Sequence, residues 1–320
     1  MVPAQTVAAR RLQAGGPLRR ERSSRMSSYT LVDTYPAFRT YWRLARERPV
    51  NDQIEAWRRD YLGPWPELLR QQISNYRAEG VDWGAVARLR IFPTLDRLMV
   101  GMSQARAAIR KSIPLAVDRL NSRLPLDFPV TFVIYVGIGC GAGWATTFEG
   151  RPAVLFGLEN AAELGWTDPD TAVALVEHEL AHVVHERWRR DAGMGGLDDH
   201  RGPWWKLYVE GFATRCELSL GGIGRHHSTA RSGDWLAWCR RNRRFLSSKF
   251  LASIASRSRW NHFFGSWFRI RGQTETGYYL GSEIVREWEE RMPVREISTW
   301  TTDQIRRRGR ASLERFAFGG

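Results

Sequence analysis

Val176-Glu177-His178-Glu179-Leu180-Ala181-His182 is the stretch on which the reading of this chain turns. It places H-E-x-x-H in a segment with a strong helix start. Thr167 or Asp168 stands at the N-cap, Pro169 in the first turn, and Asp170 adds negative charge there. Histidines four residues apart lie on one helix face and can bind one zinc ion from the same side. Glu179 between them is turned away by about 100°, near enough to reach a water on the metal without ligating it. With His178 at zero, His182 falls near 40° and His185 near −20°, at about 100° per residue. Val173, Val176, Leu180, Val183 and Val184 gather on the opposite side. One face would then pack in a core while the other presents His and Glu to a cleft. A solvated face that matches the five-residue pattern by chance is the bland reading, and the pattern alone does not decide between them.

A third ligand has to come from elsewhere. The longer pattern H-E-x-x-H-x-x-G-x-x-H is absent: His185 stands at the glycine position and Trp188 at the last histidine position. A glutamate on a following helix is the other common solution. Tyr208-Val209-Glu210-Gly211-Phe212-Ala213 supplies it, on a helix whose start Pro203 marks. Gly211 would permit close approach to the metal helix. His185 competes with Glu210 as ligand, although one turn beyond His182 it is better suited to a supporting or cleft role. A surface acid is the bland reading of Glu210.

His178-Glu179-Leu180-Ala181-His182 followed by Glu210-Gly211-Phe212-Ala213 resembles the gluzincin clan of zinc metallopeptidases. The same two pieces are similar to those of M1-type aminopeptidases, for which the chain is much too short. A closer resemblance is to the small YjaZ-like zinc-dependent proteases. Those combine a glycine-rich stretch, an edge strand, H-E-x-x-H, E-G-x-A and a later G-Y-x-x-G, here Gly277-Tyr278-Tyr279-Leu280-Gly281. The resemblance covers roughly residues 130–292. It implies a zincin-like α+β fold, mostly helical with a small mixed sheet, and peptide-bond hydrolysis, in a family whose physiological substrate is generally undefined. One departure stands out. Thermolysin-like enzymes place an acid four residues after the ligand glutamate to orient a histidine, and here that position is Thr214. Glu217, Asp198 and Asp199 are the alternatives for that support.

The expected chemistry follows from these parts. Zn2+ held by His178, His182 and Glu210 keeps one position open for water and lowers that water's pKa toward neutrality. Glu179 serves as general base, taking the proton and delivering it to the leaving amine. The oxyanion needs a further donor. Tyr278 is the candidate by its place in the family element, with Tyr279 and His226-His227 as alternatives and a buried structural tyrosine as the bland reading. Residues 153–158 are expected to form the edge strand along which a peptide pairs. Gly157-Leu158-Glu159-Asn160 faintly resembles the G-x-M-E-N element of M1 aminopeptidases. That likeness implies substrate binding at Gly157 and an amine anchor at Glu159, against the plainer reading of a strand-end acid.

The 320 residues are 43% hydrophobic and 26% charged, enough material for a core and too ordered a composition for collagen-like or globally disordered chains. Residues 1–28 read as a disordered basic tail, with six arginines in the first 25 against Glu21 alone. A transit peptide, or a true start at Met26, fits the same composition. Residues 29–125 read as a helical N-terminal region, with helices at 37–47, 52–61, 66–79 and 95–121. Residues 126–320 read as the catalytic domain. There, a strand at 130–136 and a hairpin of 144–148 with 153–156 precede helices at 169–188, 203–219, 234–247, 275–291 and 302–316. Gly137–Gly143 tempts a nucleotide-loop reading, but a strand rather than a helix follows it, so a mobile turn is the expectation. No apolar run approaches the about 20 residues of a membrane span. The three cysteines have no pairing or zinc-knuckle spacing, which sets a reducing cytoplasm as the expected location.

The net charge of +14 favours weak, nonspecific attraction to nucleic acid or other anions. The rival functional class is a nucleic-acid-associated protein. It would use Arg240-Arg241-Asn242-Arg243-Arg244 beside Trp235, Trp238 and Phe245, together with Arg306-Arg307-Arg308-Gly309-Arg310. Solvated arginine faces with tryptophans turned inward are the plainer reading. A non-catalytic zincin-fold binding protein is the third class, which the intact Glu179 opposes. The expected partner is a peptide or protein substrate; the oligomeric state is not legible.

Overall fold

The structure is a computed structural model and describes residues 29–78, 80–220, 226–227, 234–265 and 268–319. The basic tail read at 1–28 lies outside the described residues. Val130–Tyr135 (β2) is β-branched and aromatic, and every residue of it is buried, as a strand covered on both faces must be. On one side it pairs in parallel with Tyr29–Asp33 (β1), Tyr29 opposite Val130. On the other it pairs in parallel with Arg151–Gly157 (β4), Thr131 opposite Ala153. Trp144–Phe148 (β3) runs antiparallel to β4, giving a small mixed sheet in the order β1-β2-β4-β3. The β3–β4 hairpin closes through Glu149 and Gly150 alone, with φ of 50° and 71°, the pair of positive angles that a two-residue turn requires.

This order corrects one expectation: 153–158 is not an edge strand. β4 lies inside the sheet between β2 and β3, and the edge strands are β1 and β3. β1 was not foreseen at all. It comes from the N-terminal region, so the boundary drawn at 125 crosses one continuous sheet. The Tyr29 ring meets Phe132 edge-on at 5.6 Å, and Asp33 is held by Arg106 at 2.7 Å and Arg110 at 2.8 Å.

Helices Tyr35–Ala45 (α1) and Val50–Ala56 (α2) follow β1. The helix expected at 52–61 widens after Ala56, where Leu62 N–H bonds Trp57 C=O instead of continuing the α pattern. Pro66–Ala78 (α3) and the short Trp83–Val86 (α4) lead into the long Leu95–Asn121 (α5). Phe38, Trp42, Trp57, Tyr61 and Phe92 fill the space between these helices and the sheet.

Leu158–Leu164 (α6) leaves β4 directly, and Pro169–Asp191 (α7) carries the two histidines. Asp168 is the N-cap of α7, its Oδ1 accepting from Thr171 N–H at 2.9 Å. α7 packs against α5, β3, β4 and Pro203–Leu220 (α8), so both of its faces are buried and the histidine face meets protein. Further on come Trp235–Arg241 (α9) and Arg243–Ala255 (α10), separated at Asn242 where one helix was expected. Thr276–Glu289 (α11), Val294–Ser298 (α12) and Thr302–Phe318 (α13) complete the chain. Among the described residues no helix is long and apolar enough to cross a membrane.

α8 and α11 cross at Gly211 and Gly281. A Cβ on Gly211 would lie 2.2 Å from the Gly281 carbonyl carbon, and one on Gly281 would lie 2.1 Å from Leu207 O. The close approach permitted by Gly211 is therefore to α11, not to the metal helix. The glycines of E-G-x-A and G-Y-x-x-G are two halves of one contact.

Candidate metal centre

His178 and His182 stand one turn apart on α7 with Nε2 atoms 3.2 Å from each other. Glu210 on α8 brings Oε2 to 3.3 Å from His178 Nε2 and 3.5 Å from His182 Nε2. A tetrahedral ion with bonds of about 2.0–2.1 Å has ligand–ligand edges of about 3.3–3.4 Å. The three donors already stand at that spacing, and two imidazoles with one carboxylate are a zinc-type set. The residues therefore fit the metal. Burial opposes a charge on His178, but hydrogen bonds to Glu210 and Glu217 outweigh it and push its pKa up to about 10. The site is built to attract positive charge between its carboxylates.

Two of the three donor residues, His178 and Glu210, are supported from behind. His178 Nδ1 lies 3.1 Å from Glu217 Oε2, so Nδ1–H donates to the carboxylate and Nε2 keeps its lone pair toward the ligand group. Glu217 was one of three alternatives for this role, and Asp198 and Asp199 do not take it: Asp199 Oδ2 accepts from Gly196 N–H at 2.5 Å. The same Glu217 carboxylate meets His226 Nδ1 at 2.9 Å and accepts from His227 N–H at 2.5 Å, making a second buried group of His178, Glu217, His226 and His227. Burial works against ionising Glu217, yet the neighbouring His226, His227 and His178 hold it well below the usual carboxylate range. Thr214, which stands where thermolysin-like enzymes have an acid, is buried with no hydrogen-bond partner for its hydroxyl among the described residues. Lys206 Nζ reaches the other oxygen of Glu210 at 2.6 Å from one turn earlier on α8.

His185 is not a ligand. It is fully buried, with Nε2 at 2.8 Å from the Tyr208 hydroxyl and its ring stacked on Phe212 at 4.0 Å.

The ligand group opens on a cleft of about 1520 Å³. Glu179 lines it, 7% exposed, with its side chain laid against Gly143: a Cβ there would sit 3.0 Å from Glu179 Cγ. Residues 143–147, along the β3 edge of the sheet, form another wall. Tyr278 also lines the cleft, its ring 5.9 Å from that of His178, and burial together with the charges of Glu210, Glu275, Glu179 and Glu217 pushes its phenol up. Tyr279 is 1% exposed and packs on Trp235 away from the cleft. Of the alternatives for Tyr278, His227 lines the cleft and His226 lies behind it on Glu217.

Glu159 is placed elsewhere. It is 1% exposed, does not line the cleft, and its oxygens accept from Gly137 N–H at 2.8 Å and Gly139 N–H at 3.0 Å. Its position in the first turn of α6, just past β4, puts it under the glycine-rich loop, so it fastens that loop instead of reaching a substrate. Gln72 Oε1 accepts from Ile138 N–H and Tyr76 O–H donates to Ile138 C=O, so the expected mobile turn is tied at four points. Gly157 is a packing glycine: its N–H bonds Ala142 C=O at 3.2 Å, and a Cβ would lie 2.4 Å from Gly141 O.

Glu275 was missed by sequence reasoning. It lines the cleft immediately before α11 with φ of 55°, and burial pushes its carboxyl up to about 7. Its signal in the sequence was its place two residues before G-Y-x-x-G.

The arginine clusters are largely engaged within the fold. Arg243 pairs with Glu283, Arg306 and Arg307 with Asp303, and Arg310 with Glu314, while Arg308 lies over Trp300. Trp235 is buried with its indole N–H on Thr274 C=O, unable to stack on a base.

Neither protein-family models, nor curated proteins, nor solved structures give a match to this chain.

Proposed function

We propose that the chain is a zinc-dependent peptidase of the gluzincin kind. The observation that carries this is the convergence of His178 Nε2, His182 Nε2 and Glu210 Oε2 at 3.2–3.5 Å from one another in a cleft that Glu179 also lines. When bound there, zinc supplies Lewis acidity that brings a water's pKa toward neutrality and polarises a carbonyl. Everything else falls to the chain. Glu179 accepts a proton from the attacking water and passes it to the departing amide nitrogen. Tyr278 donates its phenolic hydrogen to the carbonyl oxygen as negative charge develops on it. Glu217 holds His178 in one tautomer and orientation throughout. The edge of β3 receives an extended peptide by strand addition, the role first read onto residues 153–158. Nucleic-acid binding, on this reading, is weak and nonspecific, because the paired arginines and inward tryptophans leave raw charge and little shape.

Digestion of an unbiased peptide library tests the proposal. Zinc-loaded wild type is expected to cut, and Glu179→Gln to retain zinc while losing about 10²–10⁴ in rate, the scale of losing a general base. Equal cutting by both proteins, or none by zinc-loaded wild type, would contradict it.

A further inference from the structure

Among the described residues, Glu275 Oε2 and Glu177 Oε2 are the buried carboxylate oxygens without a hydrogen-bond partner, and of the two only Glu275 lines the cleft. Glu275 is 6% exposed. A carboxylate taken out of water without compensation is unfavourable, and such groups acquire partners when partners are within reach. The nearest recorded basic nitrogen, His226 Nε2, stands 3.8 Å from Glu275 Oε2, beyond hydrogen-bond length, while the Nδ1 of that ring faces Glu217. The Glu275 side chain is 8% exposed and lines the cleft, so the cleft is the side from which a partner can reach its carboxylate.

The surroundings say what kind of group enters. Trp166, Trp260, Phe264 and Tyr278 line the same cleft. Phe264 lies 5.9 Å from Tyr278 and 6.2 Å from Trp260, and Trp166 meets His227 edge-on at 5.0 Å. Aromatic faces attract cations and repel anions, and the effect strengthens as water is excluded. A carboxylate and several aromatic faces lining one cleft match an organic cation.

We propose that Glu275 is the base of a subsite for a positively charged group of the peptide substrate, an ammonium or guanidinium close to the scissile bond. The proposal rests on the peptidase reading and deepens it by naming a substrate class. Glu275 takes the amine-anchoring role that sequence likeness had placed on Glu159. Glu275 is the N-cap of α11, and Tyr278 N–H donates to its C=O at 3.1 Å, so the cation subsite and the oxyanion donor share one backbone turn.

The test uses the full zinc-loaded chain at pH 8 and a hexapeptide library in three forms. One has free amino termini, one is acetylated, and one is acetylated with norleucine and citrulline replacing lysine and arginine. Cut sites and rates are read by mass spectrometry for wild type, Glu275→Gln and Glu275→Asp, with melting curves for each. Wild type is expected to favour members with a cation at one fixed distance from the cut. Glu275→Gln should shrink the cationic-to-neutral ratio of kcat/KM by about 10- to 100-fold, the scale of a hydrogen-bonded charge pair, and Glu275→Asp should keep part of it. Loss of cutting on acetylation assigns the cation to the amino terminus; loss only in the third form assigns it to a side chain. Equal rates for cationic and neutral peptides in wild type, or a preference unchanged in folded Glu275→Gln, would overturn the proposal. Binding of fluorescent cationic and neutral peptide twins to Glu179→Gln, with and without Glu275→Gln, judges the subsite independently. No hydrolysis by wild type would fail the peptidase reading, while equal binding of the twins would fail the subsite.

Discussion

At the scale of residues, adjacent tyrosines separate a cleft role from a core role. Tyr278 lines the cleft 5.9 Å from the His178 ring, and Tyr279 is buried against Trp235. Tyr278→Phe is expected to lower kcat by about 10²–10³, the scale of losing one oxyanion donor, with zinc content and Tm almost unchanged. Tyr279→Phe should leave kcat alone. Steady-state kinetics on both variants checks this, and a normal kcat in Tyr278→Phe would remove the phenol from the chemistry.

Glu177, buried on α7, does not line the cleft. It is paired with Arg119 at 3.3 Å, and burial pushes it up to about 7 against the pull of that guanidinium. A carboxyl raised from its ordinary 4.5 adds stability that is full below about pH 4.5 and is lost as pH rises through about 7. Glu177→Gln carries no such loss. Its stability relative to wild type should therefore rise across that window, by up to about 3 kcal/mol at one pKa unit per 1.36 kcal/mol. Urea unfolding at pH 4.5 and pH 8 measures it, and a flat difference would show that the burial is relieved by other contacts.

At the scale of elements, the ligand set depends on how closely α8 and α11 cross. Gly281→Ala places a methyl 2.1 Å from Leu207 O and 2.7 Å from Gly211 Cα, so the helices must separate. Overpacking of this kind costs about 1–3 kcal/mol. Because α8 carries Glu210, zinc affinity should fall with stability; thermal melts with and without zinc report both. An unaffected Tm would mean that the crossing is looser than the backbone distances require.

The same scale explains what the sequence made legible. H-E-x-x-H projects its histidines to one side through helical pitch alone, and the second acid on its own helix needed only a carboxylate within reach, so the convergence of His178, His182 and Glu210 could be read. Strand neighbours could not. β1 pairs with residues about a hundred positions away, and nothing local in Tyr29–Asp33 demands it. Whether 144–148 or 153–157 lies at the edge is decided by which strand finds β2, a nonlocal event. Glu159 and Glu275 both stand beside glycines in the sequence. Only three-dimensional placement shows that one is consumed by loop amides and the other lines the cleft without a hydrogen-bond partner for its buried Oε2 among the described residues.

At the scale of the whole molecule, the N-terminal helices and the C-terminal half share one sheet and one core. That core holds α7 from both sides and sets the spacing of His178, His182 and Glu210, with Glu217 on His178 from behind. On the proposed reading, preorganisation of this kind concentrates zinc affinity in three side chains and their supports. The most direct measurement is therefore a zinc titration against a competing chromophoric chelator for wild type, Glu217→Ala and Glu210→Ala. Wild type is expected to hold about one zinc per chain. Glu217→Ala should bind about 10- to 100-fold more weakly, as loss of an outer-shell partner does, and Glu210→Ala more weakly still. A wild type that takes up no tight zinc, or a Glu210→Ala variant that titrates like wild type, would contradict the metal centre and the peptidase built on it.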